Sequence, residues 1–365
     1  MKTYKYKLQL TKKQENTCNS WISTCRYLYN LALSERIMVY EMRKKSVSKY
    51  DQYNQLPELK KIHPWMGEVY SDTIQEVLDR LDKSYQNFFK GSGFPKFSKK
   101  GEYNSFTFKR SFKVSEKTIK LPKIGEVKYL NSRNIIGTPK TATILKEGNN
   151  WFISITSEYE VIANGVIIDN SNAVGIDVGI AVWATLSDGT TIETPLFLEN
   201  NLNKLKVLNK KLSRQKKGSN ERVKTIIKLQ KLHKKIANSR KDFLHKQSTI
   251  IANKYSACYI EDLKLQKMNT VNSTLTRKMS DSGFGMFKVF LQYKFKERGK
   301  HLGLVNPAYT SQTCSACGTI DKKSRLSQSE FVCTSCSVVT NSDFNASKNI
   351  KSKGITQEAK RKTIV

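Results

Sequence analysis

The sequence has few acidic residues and lacks any long apolar run. Its 365 residues contain 31 Asp and Glu against 64 Lys and Arg, which gives a formal net charge of +33. A compact chain with this imbalance repels itself unless a polyanion neutralises it, and nucleic acid is the polyanion that such a charge favours. A membrane surface is the alternative, but no apolar stretch approaches the roughly 20 residues that a spanning helix needs. No apolar signal segment follows Met1, so we expect a cytoplasmic protein with no membrane partner.

Cysteines are also few outside one region. Cys18, Cys25 and Cys258 lie within apolar patterns and are predicted to be small core residues. The other four form two C-x-x-C pairs with fifteen residues between them, Cys314/Cys317 and Cys333/Cys336. Pairs at this spacing are typical of a tetrahedral Zn²⁺ site; a disulfide or a redox pair is the alternative, which a cytoplasmic chain disfavours. Since a closed site of four thiolates leaves no open coordination position, we expect a structural zinc ribbon over residues 313–337.

The N-terminal half predicts a β-barrel with a helical insertion. Residues from Tyr4 to Leu10 alternate between apolar and polar, as in a strand, and a helical period follows. A second amphipathic helix is predicted to begin near Ser71, after which the period returns to two over several short segments. We therefore predict an α+β protein with a small antiparallel barrel and a helical domain inserted in it, the barrel at residues 1–11 and 96–165 and the helices at 12–95.

One carboxylate interrupts an apolar pattern near the middle of the chain. In the strand that begins at Ala173, apolar residues alternate with Gly175, Asp177 and Gly179. A buried, unpaired charge is costly, so Asp177 is expected to meet a partner or a metal. An Asp that caps a turn or pairs with a lysine is the alternative.

Two further acids occupy comparable positions. Glu261 directly follows the apolar strand predicted at Ala257–Ile260, and Asp343 opens a final helix. The three acids can converge only through a mixed sheet flanked by helices, and hard oxygen ligands of this kind suit Mg²⁺, with Mn²⁺ as a substitute. Two such ions about 4 Å apart can activate a water and stabilise the leaving 3′-oxygen of a phosphodiester. Together with the charge, the pattern predicts a Mg²⁺-dependent nuclease.

The segment between Asn201 and Lys246 is strongly basic and helical in period. It holds sixteen Lys and Arg against two acids, Glu221 and Asp242, and is interrupted at Gly218. A charge run is usually a solvated helix face. An imbalance of one sign, however, favours contacts with phosphates over a salt-bridged surface.

These motifs stand in the order found in a known family. Over nearly its whole length the sequence resembles the TnpB nucleases, transposon-associated relatives of the type V CRISPR effectors. Three stretches are similar to the RuvC motifs of that family, Gly175–Ile180, Ile260–Leu263 and Asp343–Ile350, and the cysteine ribbon lies between the second and the third. The similarity extends to four other stretches: Arg26–Asn30, Gly93–Phe97, Leu121–Gly125 and Lys235–Lys246.

The resemblance implies a fold and an activity. The barrel and the helical insertion would correspond to wedge and recognition domains, and residues 172–312 and 338–365 to an RNase H-like (RuvC) α/β domain. The implied protein is an RNA-guided DNA endonuclease that carries a guide RNA from the transposon end and cuts double-stranded DNA beside a short motif. It would act as a monomeric protein in a ribonucleoprotein, in a prokaryotic cytoplasm and on the nucleoid when bound to its target.

The resemblance also assigns site residues. Asp177, Glu261 and Asp343 would be the catalytic residues that hold two Mg²⁺ ions. Contacts with nucleic acid are expected from seven basic residues: Arg26, Lys216, Lys217, Arg222, Arg240, Lys246 and Arg325. Of these, Arg325 is a candidate phosphate clamp, with a plain surface residue of the ribbon as the alternative.

Two positions depart from the family pattern. Ser337 replaces the glycine common after the last cysteine, so the turn there is expected to differ. Asn341 stands where many relatives have a carboxylate, which leaves Asp343 as the only acid assigned to the metals in that motif.

Three other functions stay open. The first is a guided DNA-binding regulator without cleavage, although such proteins typically lose one of the three acids and all three are present here. The second is a guide-free junction resolvase or transposase of the same fold, which would not need the large N-terminal half. The third is a compact CRISPR-associated effector, which only the genomic neighbourhood would separate from a transposon-borne nuclease.

Overall fold

The computed structural model of the protein describes residues 1–159, 169–263 and 273–363. The chain divides into two compact units, Met1–Glu160 and Val161–Val365. None of the described helices combines the length and the apolar character needed to cross a membrane.

The first unit contains a seven-stranded antiparallel sheet. The strands lie in the spatial order β2-β6-β7-β1-β5-β4-β3. The first strand of the chain is central, because it pairs with β7 along most of its length and with β5 at its end. The N-terminal strand therefore joins the sheet formed by the later strands. The strands are β1 (Lys2–Gln9), β2 (Ser105–Phe108), β3 (Lys113–Val114), β4 (Thr118–Leu121), β5 (Gly125–Tyr129), β6 (Thr138–Glu147) and β7 (Asn150–Glu158).

The prediction that this sheet closes into a barrel is wrong. Its end strands are β2 and β3, and no pairing joins them among the described residues, although only residues 109–112 separate them along the chain. The first backbone N–H beyond β2, that of Lys109, donates instead to the Asp72 carboxylate at 3.0 Å. Since β3 has only two residues, it offers little edge with which another strand could pair.

Helices of the first unit pack on this sheet around one core. They are α1 (Lys12–Arg43), α2 (Lys49–Ile62) and α3 (Ser71–Phe89), with a 3₁₀ turn at Pro64–Glu68. A capping box between Thr11 and Gln14 begins α1. Trp21 of α1 contacts Phe106 of β2, with ring centroids 5.3 Å apart. The predicted division of this unit into barrel and helical domains stays a prediction. The predicted end of the barrel domain, residue 165, lies outside the described residues.

The second unit contains the mixed sheet that the three acids required. Its five strands lie in the order β10-β9-β8-β11-β12. The strand β9 runs antiparallel to both of its neighbours, β10 and β8, whereas β8, β11 and β12 run parallel. The strands are β8 (Ala173–Val178), β9 (Val182–Leu186), β10 (Thr191–Glu193), β11 (Ala257–Glu261) and β12 (His301–Val305).

Helices cover both faces of the mixed sheet. Val174, Ile176 and Ile260 pack with residues of α5 and α7 around Trp183, while Ala173, Ala257 and Tyr259 pack with Ile350 of α8 on the other face. A cysteine-bearing hairpin, β13 (Phe331–Val332) and β14 (Val339–Thr340), precedes α8. The helices are α4 (Leu202–Arg214), α5 (Asn220–Lys254), α6 (Ser273–Ser282), α7 (Phe284–Glu297) and α8 (Ser342–Thr363).

Candidate active site

Strand register brings two of the predicted acids side by side. Ile176 of β8 pairs with Ile260 of β11 in a parallel ladder, and the next residue on each strand is an acid, Asp177 and Glu261. Side chains alternate between the faces of a sheet, so both carboxylates share the face of Tyr259, which is covered by α8. The two acids therefore lie at the carboxyl ends of neighbouring strands, on one face.

The third acid reaches this point because α8 crosses the sheet at a glycine. A Cβ on Gly175 would lie 2.2 Å from the Ser347 carbonyl oxygen and 2.6 Å from the Lys351 nitrogen, so only glycine fits there. Asp343 precedes Ser347 by about one helical turn. The close approach at Gly175 thus brings Asp343, in the first turn of α8, towards Asp177.

Asn341 begins α8. Its Oδ1 accepts hydrogen bonds from the backbone N–H groups of Asp343 and Phe344, both at 3.0 Å. This is the pattern of an N-cap, which satisfies donors that the helix itself leaves unpaired. The asparagine that departs from the family pattern therefore holds the backbone of the acid two residues later.

Burial raises the pKa of all three carboxylates, and the charges of the other two act on Asp177. The pKa of Asp177 is raised to about 8. Burial is the largest cause, followed by the neighbouring charges of Glu261 and Asp343. Burial also raises the pKa values of Glu261 and Asp343. Arg325 opposes the rise in the pKa of all three, and its Nη2 lies 3.5 Å from Asp343 Oδ1. The three carboxylates therefore form a half-buried cluster of like charge.

Two residues at this site carry no signal in the sequence. Thr310, 49 residues after Glu261, donates its hydroxyl to Glu261 Oε1 at 2.5 Å. Lys353 of α8 lowers the pKa of Glu261 through its charge. Neither residue lies in a motif that periodicity or charge would single out; only the packing of α8 on the sheet brings them near.

The four predicted metal-binding cysteines meet in the second unit. These residues are Cys314, Cys317, Cys333 and Cys336. Their sulfur atoms all lie within 4.8 Å of one another, which is compact enough to hold one metal ion. The two halves of the cluster have the same turn. The Gly318 N–H donates to the Cys314 carbonyl at 2.9 Å, and the Ser337 N–H donates to the Cys333 carbonyl at 3.1 Å.

Ser337 takes the glycine conformation that the family pattern has at this place. Its φ is +59°, and that of the equivalent Gly318 is +79°. The expected difference in the turn is therefore absent at the backbone. The serine instead adopts a left-handed conformation that residues other than Gly, Asn and Asp rarely take.

The predicted nucleic-acid contacts fall into two groups. Lys216 and Lys217 are exposed on the connection between α4 and α5, and Arg26 is half-buried on α1. Lys246 pairs with Asp242 at 2.8 Å on an exposed face of α5. Arg222 and Arg240 are engaged within the protein.

Arg222 donates to carbonyls at the end of α4, those of Leu212 and Gln215. Arg240 pairs with Asp281 of α6 through Nη2 and, at 3.1 Å, through Nε. Both guanidinium groups thereby join helices of the second unit to each other. A phosphate contact from any of the seven basic residues stays a prediction.

Family models match three parts of the chain. Residues 163–272 match a model described as "Probable transposase", and residues 284–350 match "Cas12f1-like, TNB domain". Residues 1–45, which fold here as β1 and α1, match "Helix-turn-helix domain".

Whole-chain comparisons agree with these matches. A protein of Escherichia coli (strain K12) named "Putative RNA-guided DNA endonuclease InsQ" is 35% identical, over 97% of this chain and 92% of the relative. "TnpB-like protein L770" of Acanthamoeba polyphaga mimivirus is 26% identical over 64% of this chain and 47% of its own. The cryo-EM structure of a Cas12f1–sgRNA–target DNA complex shares the fold, with a TM-score of 0.61 and 15% identity over 93% of this chain and 83% of that one. With the ordered motifs and the acid cluster, these similarities establish that the chain belongs to the TnpB family of RNA-guided DNA endonucleases.

Proposed function

We propose that the protein is a transposon-encoded, RNA-guided DNA endonuclease that cuts its target by metal-dependent phosphodiester hydrolysis next to a short adjacent motif. One observation carries the proposal. Acids from three distant parts of the chain, Asp177, Glu261 and Asp343, come together at one edge of the mixed sheet under α8. Nothing in a structural role requires three like charges to gather in a half-buried place.

The strand arrangement supports a nuclease domain. Three antiparallel strands followed by two parallel ones, with helices on both faces, are compatible with the RNase H-like (RuvC) domain that the motifs imply. We assign the second unit to this fold, with the cysteine hairpin as a zinc ribbon inserted before the last helix. The predicted domain limits, 172–312, 313–337 and 338–365, belong to the same proposal.

The donor atoms suit the metals that the family implies. Carboxylate oxygens are ligands for Mg²⁺ or Mn²⁺, and Asp177, Glu261 and Asp343 would hold these ions. When bound, a pair of such ions supplies an activated water and stabilises the leaving oxygen. The protein contributes a scaffold that keeps the acids close despite their repulsion, and Arg325 offers a cation to a phosphate of the bound strand. The four thiolates suit a structural Zn²⁺.

The partners would be a guide RNA and double-stranded DNA. The relative InsQ is named for RNA-guided cleavage of DNA, and the related Cas12f1 was solved with sgRNA and target DNA. A formal charge of +33 provides the attraction for two polyanions. Base pairing with the guide would read the target, so the protein needs only to hold the backbones and the adjacent motif.

The test is a single substitution at the centre of the acid cluster. The RNA that co-purifies with the protein is sequenced first, so that a matching plasmid target can be built. Asp177→Ala is expected to abolish cleavage of that plasmid with Mg²⁺ present and to leave binding of RNA and DNA nearly unchanged. Asp242→Ala, which removes an exposed carboxylate paired with Lys246, is the matched control and should cut normally. Cutting by Asp177→Ala at the wild-type rate would refute the site, and binding without cleavage by the wild-type protein in both Mg²⁺ and Mn²⁺ would favour a regulator.

A further inference from the structure

A buried threonine holds one of the three acids. Thr310 is 3% exposed, and its hydroxyl has two acceptors within reach, Glu261 Oε1 at 2.5 Å and the Pro307 carbonyl at 2.9 Å. A hydroxyl has only one hydrogen to donate. The Glu261 oxygen is the nearer of the two acceptors, so it accepts this hydrogen bond.

The backbone of this threonine is held in turn by α8. The Asn349 side-chain amide donates to the Thr310 carbonyl at 2.9 Å and to the Thr313 carbonyl at 2.6 Å. One turn earlier, Asn345 donates to the same Thr313 carbonyl at 2.7 Å. Asn345 is fully buried and Asn349 nearly so, and both side-chain amides donate their hydrogen bonds to this one loop.

The loop ends in the cysteine cluster. Asn345 Oδ1 accepts the backbone N–H of Ser315 at 2.8 Å, and Ser315 lies between the two cysteines of the first pair. Residues 310–315 are therefore fixed at three points, and the same helix that fixes them carries Asp343 in its first turn. The carboxylates of β11 and α8 are thus tied together through one short loop.

From these contacts we infer that Thr310 is a positioning residue for the nuclease, which fixes the Glu261 carboxylate within the acid cluster, and that Asn349 holds Thr310 in place. The inference rests on the proposed function. It concerns a residue outside the three acids and the four cysteines. Partners of this kind, which orient a metal-binding side chain, typically change metal affinity or activity about 10- to 100-fold when removed.

Two substitutions at one position separate the hydroxyl from the rest of the side chain. Thr310→Val keeps the shape and removes the donor, whereas Thr310→Ser keeps the donor. We expect Thr310→Val to lower the cleavage rate about 10- to 100-fold and Thr310→Ser to restore most of it. Thr356→Val makes the same chemical change at an exposed position of α8, where the hydroxyl donates to the Ser352 carbonyl within the helix, and this variant should cut normally.

A second readout does not depend on cleavage. Binding of Mn²⁺ to the ribonucleoprotein, followed by electron paramagnetic resonance, should weaken about 10-fold or more in Thr310→Val and recover in Thr310→Ser. Zinc content and unfolding temperature should match those of the wild type, which a purely structural role of Thr310 would alter instead. Asn349→Asp, which sets an acceptor against two carbonyls, should weaken Mn²⁺ binding in the same direction.

The outcomes distinguish the inference from the function on which it rests. If Thr310→Val cuts and binds Mn²⁺ as the wild type does while Asp177→Ala is inactive, the inference is wrong and the endonuclease proposal stands. If Asp177→Ala also cuts normally, the proposed site itself fails. Loss of activity in both Thr310→Val and Thr310→Ser, with a lowered unfolding temperature, would also overturn the inference, because the hydroxyl would then not be the cause.

Discussion

At the scale of single residues, Asp177 is where the fold and the proposed chemistry conflict. Its pKa rises from the ordinary value of 3.8 to about 8, through burial first and then through Glu261 and Asp343. Between these two pH values the folded chain holds a proton that the unfolded chain releases, so rising pH lowers the free energy of unfolding. Burial of this carboxyl in the metal-free site therefore costs stability near neutral pH, because the folded chain must take up a proton that the unfolded chain has released. Such a cost is common where function needs strain.

This conflict gives a prediction about the metal-free protein. Asp177→Asn is expected to raise the unfolding temperature at pH 8, and the gain should shrink towards pH 4, where the unfolded chain also begins to bind the proton that the folded chain holds. The measurement is thermal unfolding in a chelator at both pH values, with Asp242→Asn, an exposed and paired carboxylate, as the control. A gain of the same size at both pH values would contradict the assigned cause, and added Mg²⁺ should reduce the difference.

Ser337 carries a second cost at the residue scale. The left-handed backbone costs an ordinary residue about 1–2 kcal/mol, and glycine avoids that cost but loses more chain entropy on folding. Ser337→Gly should therefore stabilise the ribbon by about 0.5–1 kcal/mol, and Gly318→Ser should destabilise it by a similar amount. No atom lies within 4 Å of a Cβ built on Gly318, so the second substitution tests the backbone alone.

The stability of the ribbon in both variants is measured by how well the protein retains zinc. The rate at which a chelator removes zinc should fall in Ser337→Gly and rise in Gly318→Ser, relative to the wild type. Equal rates in all three proteins would show that the backbone conformation at these turns does not limit the stability of the ribbon.

The residues that the sequence could identify share a property that Thr310 lacks. Asp177 and Glu261 are charges next to apolar strands, and the cysteines recur at fixed spacing, so each stands out from its neighbours along the chain. A hydroxyl in a loop does not stand out, and its acceptor lies 49 residues away. Arg222 and Arg240 show the reverse case: the charge run singled them out, but the fold occupies both with protein partners.

At the scale of elements, periodicity predicted the helices and strands with long apolar stripes and missed the weak ones. The helix α3 begins at Ser71 as expected, because its stripe is regular. The helix α2 carried no such signal, since it contains Pro57 and buries only Gln52 and Leu56. The barrel was wrong for a related reason: side-chain alternation shows which face of a strand is buried, but not whether the edge strands of a sheet meet.

The helix α8 links the ribbon to the acids, and this gives a prediction for the cysteine cluster. Cys314→Ser should lower zinc content, because it removes one of four thiolates. It should also slow cleavage, since Ser315 and the loop before it are bonded to Asn345 of α8. Zinc is measured after purification by elemental analysis, and cleavage on the matched plasmid.

Cys258→Ser is the matched control for this prediction. Cys258 is a buried cysteine of the sheet, outside the cluster, so its substitution should leave the zinc content unchanged. Stoichiometric zinc in Cys314→Ser would count against a four-cysteine site. Normal cleavage by a zinc-depleted Cys314→Ser protein would show that the ribbon and the acids are independent.

At the scale of the whole molecule, only some of the excess basic side chains are free to contact nucleic acid. Many basic side chains are paired or buried in the fold, whereas Lys216 and Lys217 extend from an exposed connection between two helices. Contacts between such lysines and phosphates release counterions, so binding weakens as salt rises, by about 0.9 in the logarithmic slope for each phosphate on duplex DNA. The fold therefore divides the basic residues into those that can contribute to this slope and those that support the structure.

That division predicts that two pairs of substitutions affect different quantities: the lysine pair changes DNA binding, and the arginine pair changes stability. Lys216→Ala with Lys217→Ala should weaken target binding at low salt and reduce the salt slope by up to about 2, with the unfolding temperature unchanged. Arg222→Ala and Arg240→Ala should instead lower the unfolding temperature, because each removes a donor from a half-buried acceptor: the Gln215 carbonyl and Asp281 Oδ1. Binding of the ribonucleoprotein to its matched DNA is measured over a series of NaCl concentrations, beside thermal unfolding of each variant. A reduced slope with full stability in the arginine variants would reverse the division, because those guanidinium groups would then reach phosphates in the complex.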